Sequence, residues 1–202
     1  EAFGALGKSH GRQTADAIRE VILQVYKSPT VSRTSERAIE EIAAGDAAVD
    51  ADDRKEVGMH HFDGERFVQA QAVIAATVKD VVYGLKNNRV DAARWKLGGA
   101  LHTLQDFYSH SNWIENDNTS PHPWVGREAT IGDTASRNDD TCVDCIVVKN
   151  NCQDCSKDLT TKLLTSGYYG GQLDAPRPQG PAKCSHGGSF DSKATGVDME
   201  TA

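Results

Sequence analysis

The sequence predicts a mostly α-helical domain with a loop-rich, cysteine-containing C-terminal part. Three observations carry that expectation. Before position 115, apolar residues recur at three- and four-residue steps. Five of the six prolines lie beyond residue 120, and the Gly/Asn/Asp-rich text around them shows little periodicity. At 202 residues the chain suits one domain able to bury a core. Residues 1–115 read as a helical core, and 116–202 as an irregular, Cys/Gly/Pro-rich extension of the same domain.

Taken in order, Ser9 to Tyr26 places Ile18, Val21, Ile22 and Val25 on one helical stripe. Thr34 to Ala44 is a shorter helix presenting Ala38, Ile39 and Ile42. Gly64 to Leu85 carries Phe67, Ile74, Val78, Val81 and Leu85 at helical spacing. Asp91 suits the N-cap of a fourth helix reaching about Ser111. Beyond it one further helix is expected, Ser156 to Thr165, ended by Gly167. No internal repeat is visible.

The formal net charge of −7 leaves no broad basic surface. That argues against a duplex-DNA partner, because phosphate neutralisation needs clustered Lys and Arg. An enzyme that grips a phosphodiester through metal ions is untouched by this argument. No apolar run approaches the roughly 18 residues of a membrane span, since Val73–Val82 is interrupted by Thr77, Lys79 and Asp80. The chain opens at Glu1 with no apolar leader and reads as a processed form. Asn118-Thr119-Ser120 is a glycosylation sequon, which bears only on a secreted chain.

Cys142-x2-Cys145 and Cys152-x2-Cys155 resemble zinc knuckles at first sight, with Cys184 as a fifth thiol. The stretch between the two pairs is shorter than a zinc ribbon uses. We therefore expect Cys142, Cys145, Cys152 and Cys155 to form a disulfide-stapled loop in an oxidising compartment, with an odd thiol left over.

The helix over 91–111 carries the chemistry. Leu97, Leu101, Leu104 and Tyr108 fall in a narrow arc that Ala93, Ala100 and Phe107 widen. His102, Asp106 and His110 lie on the opposite side at i, i+4 and i+8, stacked along one line that Gly99 joins, leaving room for a close approach. A solvated helix face is normally built from Lys, Glu and Arg, yet Leu97 to Asn112 contains none of them. Imidazole nitrogen and carboxylate oxygen on one rigid element are what divalent zinc takes. Three upstream strings add to that line: Phe3-Gly4-Ala5-Leu6-Gly7-Lys8-Ser9-His10, then the acidic turn Asp46 to Asp53, then His60-His61-Phe62-Asp63.

This order resembles the zinc-dependent phospholipase C and single-strand-specific nuclease superfamily. Members are helical and hold up to three zinc ions. The resemblance implies His10, Asp50, His61, His102, Asp106 and His110 as metal ligands, with one to three zinc ions bound. Asp46 and Asp53 compete with Asp50 for the acidic position, and His60 competes with His61. A closer local match runs from Ala100 to Trp113. It resembles a segment of the heterokaryon-incompatibility C proteins and of secreted proteins carrying a von Willebrand factor A domain. Leu163 to Tyr169 and Lys183 to Gly188 are similar to the second group as well.

Three departures bear on the metal count. Phe3 stands where the hydrolases have an N-terminal Trp that ligates through its own amine, and Glu1 and Ala2 precede it. His110 follows Asp106 after four residues rather than about six. The downstream His-x3-Glu or His-x3-Asp pair is missing, leaving Glu115, His122 and His186 as substitutes. A one- or two-metal centre is the expectation these support. The activity implied is hydrolysis of a phosphodiester, phospholipid or single-stranded nucleic acid, by a secreted enzyme with Asp50 as general base. The rival is a non-catalytic secreted module, stabilised by metal and serving recognition or self-assembly.

Overall fold

The computed structural model describes residues 9–127, 130–142, 147–148, 151–152, 163–170, 172–178 and 182–184. Four helices dominate: α1 (His10–Tyr26), α2 (Arg33–Ala47), α3 (Phe67–Lys86) and α4 (Val90–His110). Two 3-10 turns, Asp53–Glu56 and Gly58–His60, fill the link between α2 and α3. An antiparallel pair of two-residue strands, β1 (Val147–Val148) and β2 (Asn151–Cys152), completes the described elements. The domain is mostly α, as its periodicity predicts.

Helix boundaries follow local chemistry. Ser32 caps α2, its hydroxyl accepting from Ser35 N at 3.1 Å. Lys27 ends α1 in the left-handed conformation. Two positions differ from expectation. Arg89 is the residue preceding α4, so Asp91 lies inside the first turn, where a negative charge still suits the helix dipole. Most of the helix expected over 156–165 falls outside the described residues. Its last three positions, Leu163 to Thr165, are extended: Leu164 bridges Thr134, and the adjoining Ser166 bridges Ser111.

Helix α4 is the centre, packed on α2 along one side and on α3 along another, with α1 lying on α2. Two glycines let α2 and α4 touch backbone to backbone. A Cβ on Gly98 would sit 2.0 Å from Ile42 O, and one on Gly45 would sit 2.1 Å from Trp95 O. Only glycine tolerates that approach, and it presses the end of α2 onto the middle of α4.

The C-terminal part joins the same core. Leu164, Ile131 and Val125 cluster with Phe62, Phe67, Ile74 and Phe107. Asn112 braces the chain there: its Nδ2 donates to Leu163 O at 3.0 Å, and its Oδ1 accepts from Thr165 N at 2.8 Å. Cys142 and Cys184 are buried and each disulfide-bonded, so disulfide pairing extends to the cysteine outside the 142–155 group. Cys145 and Cys155 lie outside the described residues, and of Cys152 only the backbone is described. No helix among the described residues is long and apolar enough to cross a membrane.

Candidate metal centre

The most buried positions of α4 are not those of its leucine arc, although Ala93, Ala100 and Phe107 beside that arc are buried. Leu97, Leu101, Leu104 and Tyr108 are half-buried, whereas His102 and Asp106 have no exposure and His110 has 4%. The polar line points into the protein, where residues from three other segments meet it.

His10 comes from the first turn of α1. Asp46 comes from the end of α2, and Asp50 from the turn after it. His61 and Asp63 come from a loop with unusual backbone: Phe62 has φ 56° and Gly64 φ 61°. The left-handed Phe62 drives its ring into the core against Phe67 and Phe107, leaving His61 and Asp63 on the side of the cluster. A bulky residue there is strained, and such strain concentrates at functional sites.

Each of the four imidazoles has one ring nitrogen on an oxygen and the other turned towards Asp106. His10 Nδ1 lies 2.8 Å from Gln105 Oε1, and its Nε2 3.2 Å from Asp106 Oδ1. His61 Nε2 lies 3.2 Å from the Arg54 carbonyl, and its Nδ1 2.7 Å from Asp106 Oδ2. His102 Nδ1 lies 3.2 Å from Asp46 Oδ1, and its Nε2 3.0 Å from Asp106 Oδ2 and 3.4 Å from Asp50 Oδ1. His110 Nδ1 lies 2.9 Å from the His61 carbonyl, and its Nε2 3.8 Å from Asp106 Oδ1. Carbonyl, amide and carboxylate oxygens only accept. Each outer nitrogen therefore carries the proton, and in the neutral tautomer each inner nitrogen presents a lone pair to a carboxylate.

Lone pairs facing lone pairs repel unless a cation lies among them. Burial opposes a charge on His102, yet Asp106, Asp46 and Asp50 push its pKa up to about 12. Burial would raise the Asp106 carboxyl, but His102, His110 and His10 hold it well below the usual carboxylate range. Asp50 likewise is raised by burial and lowered by His102, to about 2. The cluster thus draws positive charge to itself, as protons or as metal.

The residues fit a metal. Donor atoms of a tetrahedral zinc at roughly 2.1 Å stand about 3.4 Å apart. His102 Nε2 lies 3.3 Å from His61 Nδ1 and 3.0–3.4 Å from the two carboxylates already given. Two donor groups are close enough to hold an ion, His10–Asp50–His102 and His61–His102–Asp106. Asp106 Oδ1 is buried without a hydrogen bond. The oxygen partners on the outer nitrogens are what fix a ligating imidazole in orientation.

All six residues expected as ligands converge here. Asp46, a competitor for the acidic position, joins Asp50 rather than replacing it, since its neighbour Gly45 lies against the backbone of α4 and Asp46 is fully buried. Asp53 opens a 3-10 turn and is exposed, and His60 is half-buried outside the cluster. His122 packs instead among Phe107, Trp113 and Trp124, its pKa lowered by burial. His186 lies outside the described residues. What occupies the space at Gly99 is Arg54, whose Nη1 would be 2.8 Å from a Cβ there.

Sequence reasoning missed the supports. Gln105 Nε2 donates to Thr14 Oγ1 at 2.6 Å and to Asp46 Oδ2 at 3.1 Å, which turns its Oε1 to His10. Thr14 Oγ1 also donates to Asp46. Asp63, fully buried, lies 3.3 Å from His110 Nδ1 and accepts from Gln172 Nε2 at 2.6 Å. Gln105 was findable, since it sits one turn from His102 on the same helix.

The family model described as the VWA7 N-terminal domain matches residues 14–198. The von Willebrand factor A domain-containing protein 7 of Rattus norvegicus is 37% identical over 180 residues, covering 87% of this chain and 19% of the relative. That of Homo sapiens is 37% identical over 180 residues, covering 86% and 19%. That of Mus musculus is 41% identical over 138 residues, covering 67% and 14%. The chain spans about a fifth or less of the length of these relatives. No solved structure matches. The chain belongs to the VWA7 N-terminal domain family.

Proposed function

We propose that this member of the VWA7 N-terminal domain family is a secreted zinc-dependent phosphodiester hydrolase whose centre holds up to two ions. The observation that carries this reading is the inward turn of four imidazoles onto Asp106, each with its outer nitrogen on an oxygen. Four buried or half-buried carboxylates, Asp46, Asp50, Asp63 and Asp106, carry a charge that two divalent cations would balance once the imidazoles had given up their inner protons. His10, Asp50, His61, His102, Asp106 and His110 would be the ligands. One imidazole nitrogen binds one ion, so His102 Nε2 serves a single ion. Asp106, with its two oxygens, is the residue able to serve both.

When bound, zinc supplies Lewis acidity and a water acidified towards neutrality, which suits attack on a phosphodiester. The chain's own residues do the rest. Asp46 holds the His102 tautomer, Gln105 that of His10, and the Arg54 carbonyl that of His61. Asp50 is the one carboxylate of the cluster open to solvent, its side chain 42% exposed. It is therefore the group placed to take a proton from an attacking water at the mouth of the site. A disulfide-bonded chain with this ligand set fits an extracellular setting.

A second reading has an observation in its favour. His102, Asp106 and Asp46 are wholly buried, as in a metal that only holds helices together. One experiment separates the two. Zinc is counted by elemental analysis on chain purified without chelator, and hydrolysis is measured on bis(4-nitrophenyl) phosphate, phosphatidylcholine vesicles and single-stranded DNA. Zinc with turnover that Asp50→Asn lowers further than it lowers the bound metal supports the hydrolase. Zinc without turnover on any substrate supports the structural module, and a chain that binds no zinc sinks both.

A further inference from the structure

The four imidazoles of the centre differ in what stands behind them. His10 and His61 have neutral oxygens there, from Gln105 and from the Arg54 carbonyl. His102 has a carboxylate, Asp46, which Thr14 and Gln105 hold in turn. His110 has a carboxylate as well: its Nδ1 lies 2.9 Å from the His61 carbonyl and 3.3 Å from Asp63 Oδ1. A donor to Asp63 comes from far along the chain, Gln172 Nε2 lying 2.6 Å from Asp63 Oδ2. Asp63 has no exposure and Gln172 only 4%, so bulk water does not compete for this bond. An ionised carboxylate only accepts, which fixes the amide with its NH2 towards Asp63. Gln172 Oε1 then lies over Gly58, where a Cβ would be 2.9 Å from it.

The chain on either side of Gln172 grips the two segments that carry Asp63 and His110. Asp174 accepts from Gly58 N at 2.7 Å and from Met59 N at 3.3 Å. Gly64 N donates to Gly167 O at 2.7 Å, and Gly167 N donates to His110 O at 3.0 Å. Glu65 accepts from the buried Lys183 at 2.7 Å. The C-terminal part thus ties the 58–65 loop to the end of α4, and it delivers Gln172 to a fixed place beside Asp63.

We infer that Gln172 is a positioning residue of the His/Asp centre. By holding Asp63 Oδ2 it keeps Oδ1 on the Nδ1–H of His110, so that His110 Nε2 faces Asp106. A carboxylate behind an imidazole fixes its ring and raises its basicity towards a metal, and the carboxylate does so only while its own orientation is held. Without the amide, Asp63 loses a restraint on its rotation, and His110 loses a fixed partner. The effect on metal rests on the zinc reading above; the effect on the His110 ring does not.

The test uses Gln172→Met, which keeps the length of the side chain and removes the donor. On the metal-free, 15N-labelled chain, the His110 Nδ1–H resonance is identified by its loss in His110→Ala. We expect Gln172→Met to shift it and to speed its exchange with water. Zinc affinity, read by competition with a chromophoric chelator, should weaken about tenfold, the low end for a partner behind a ligating imidazole. In a His110→Ala background the same substitution should weaken it less than about twofold, because the route through His110 is gone. A merely structural glutamine would lower affinity by the same factor in both backgrounds and leave the resonance where it was. Either of those results overturns the inference, as does unchanged zinc affinity in a chain that binds zinc. A wild-type chain that binds no zinc sinks the zinc reading alone, and the resonance of the metal-free protein then decides. Should Gln172→Met not fold, Gln172→Asn withdraws the amide by one methylene and serves the same measurements.

Discussion

The His/Asp line of α4 is buried more deeply than its leucine arc, although that arc is the more apolar. Towards α2, backbone meets backbone at Gly45 and Gly98, and His102 and Asp106 are sealed from water. Towards α1, Leu101 and Leu104 share an open groove of about 580 Å³ with Ile18, Val21 and Ile22. Val21 is 56% exposed there, and Val25 further along is 66% exposed. Apolar area is transferable between many neighbours, so its stripe tolerates an incomplete cover. Imidazoles and carboxylates arranged around one point need fixed partners and low water access. The side with the more demanding geometry therefore takes the tight contact.

The comparison can be broken from its polar side first. Asp106→Ala should cost about 3–5 kcal/mol in zinc-loaded protein, the scale for opening a buried charged cluster. Bound zinc should fall with it, since a ligand that binds only the folded state adds to stability. Chelator should lower the wild-type melting temperature and leave the variant nearly unmoved, closing most of the gap between them. An equal response of both proteins to chelator would show that Asp106 holds no metal.

Gly98→Ala tests the contact rather than the ligands. Its Cβ would meet the Ile42 carbonyl at 2.0 Å, and backbone yields poorly. Unfolding by urea should show a loss of about 3 kcal/mol, the upper range for overpacking. Zinc content should drop too, because separating α2 from α4 withdraws Asp46 from His102. Retention of full metal at reduced stability would mean the glycine contact and the cluster are independent.

On the apolar side the effects shrink. Leu101→Ala removes a half-buried side chain from an open groove, so we expect about 1 kcal/mol or less, well under the cost at a closed core site. Val25→Ser should stay within about 0.5 kcal/mol by the same urea measurement. A loss of several kcal/mol at either position would mean the groove is covered in solution.

The helices were legible because each repeats its apolar residues at 3.6-residue spacing; their ends were less so, since Asp91, expected as a cap, lies in the first turn of α4, and Ser32, which caps α2, was not singled out. The His102/Asp106/His110 line was legible for a different reason: a polar face without Lys, Glu or Arg has no need of solvent. Asp46 was one of three acidic candidates in a short string, and spacing along the chain does not say which of them a neighbouring helix reaches. Asp63 stood in the quoted His60-His61-Phe62-Asp63 string without a role of its own, and Thr14 gave no signal, because a single Asp or Thr is common in loops and first turns. Leu163 to Thr165 departs from its expected helix because Asn112 and Ser111 supply extended-chain partners from far away in sequence.

The sequence by itself determined the mostly helical class and the positions of α1 to α4, and it singled out six residues that the fold brings together, since these rest on local periodicity and on residue chemistry. The tertiary structure alone decided how deeply each side of α4 is buried, that Asp46 and Asp50 both reach His102, and that each clustered imidazole has its outer nitrogen on an oxygen. The physical reason is that such contacts depend on distances between segments tens of residues apart. Those distances are set by packing, here by two glycines that let α2 and α4 close, and not by the preferences of any one segment.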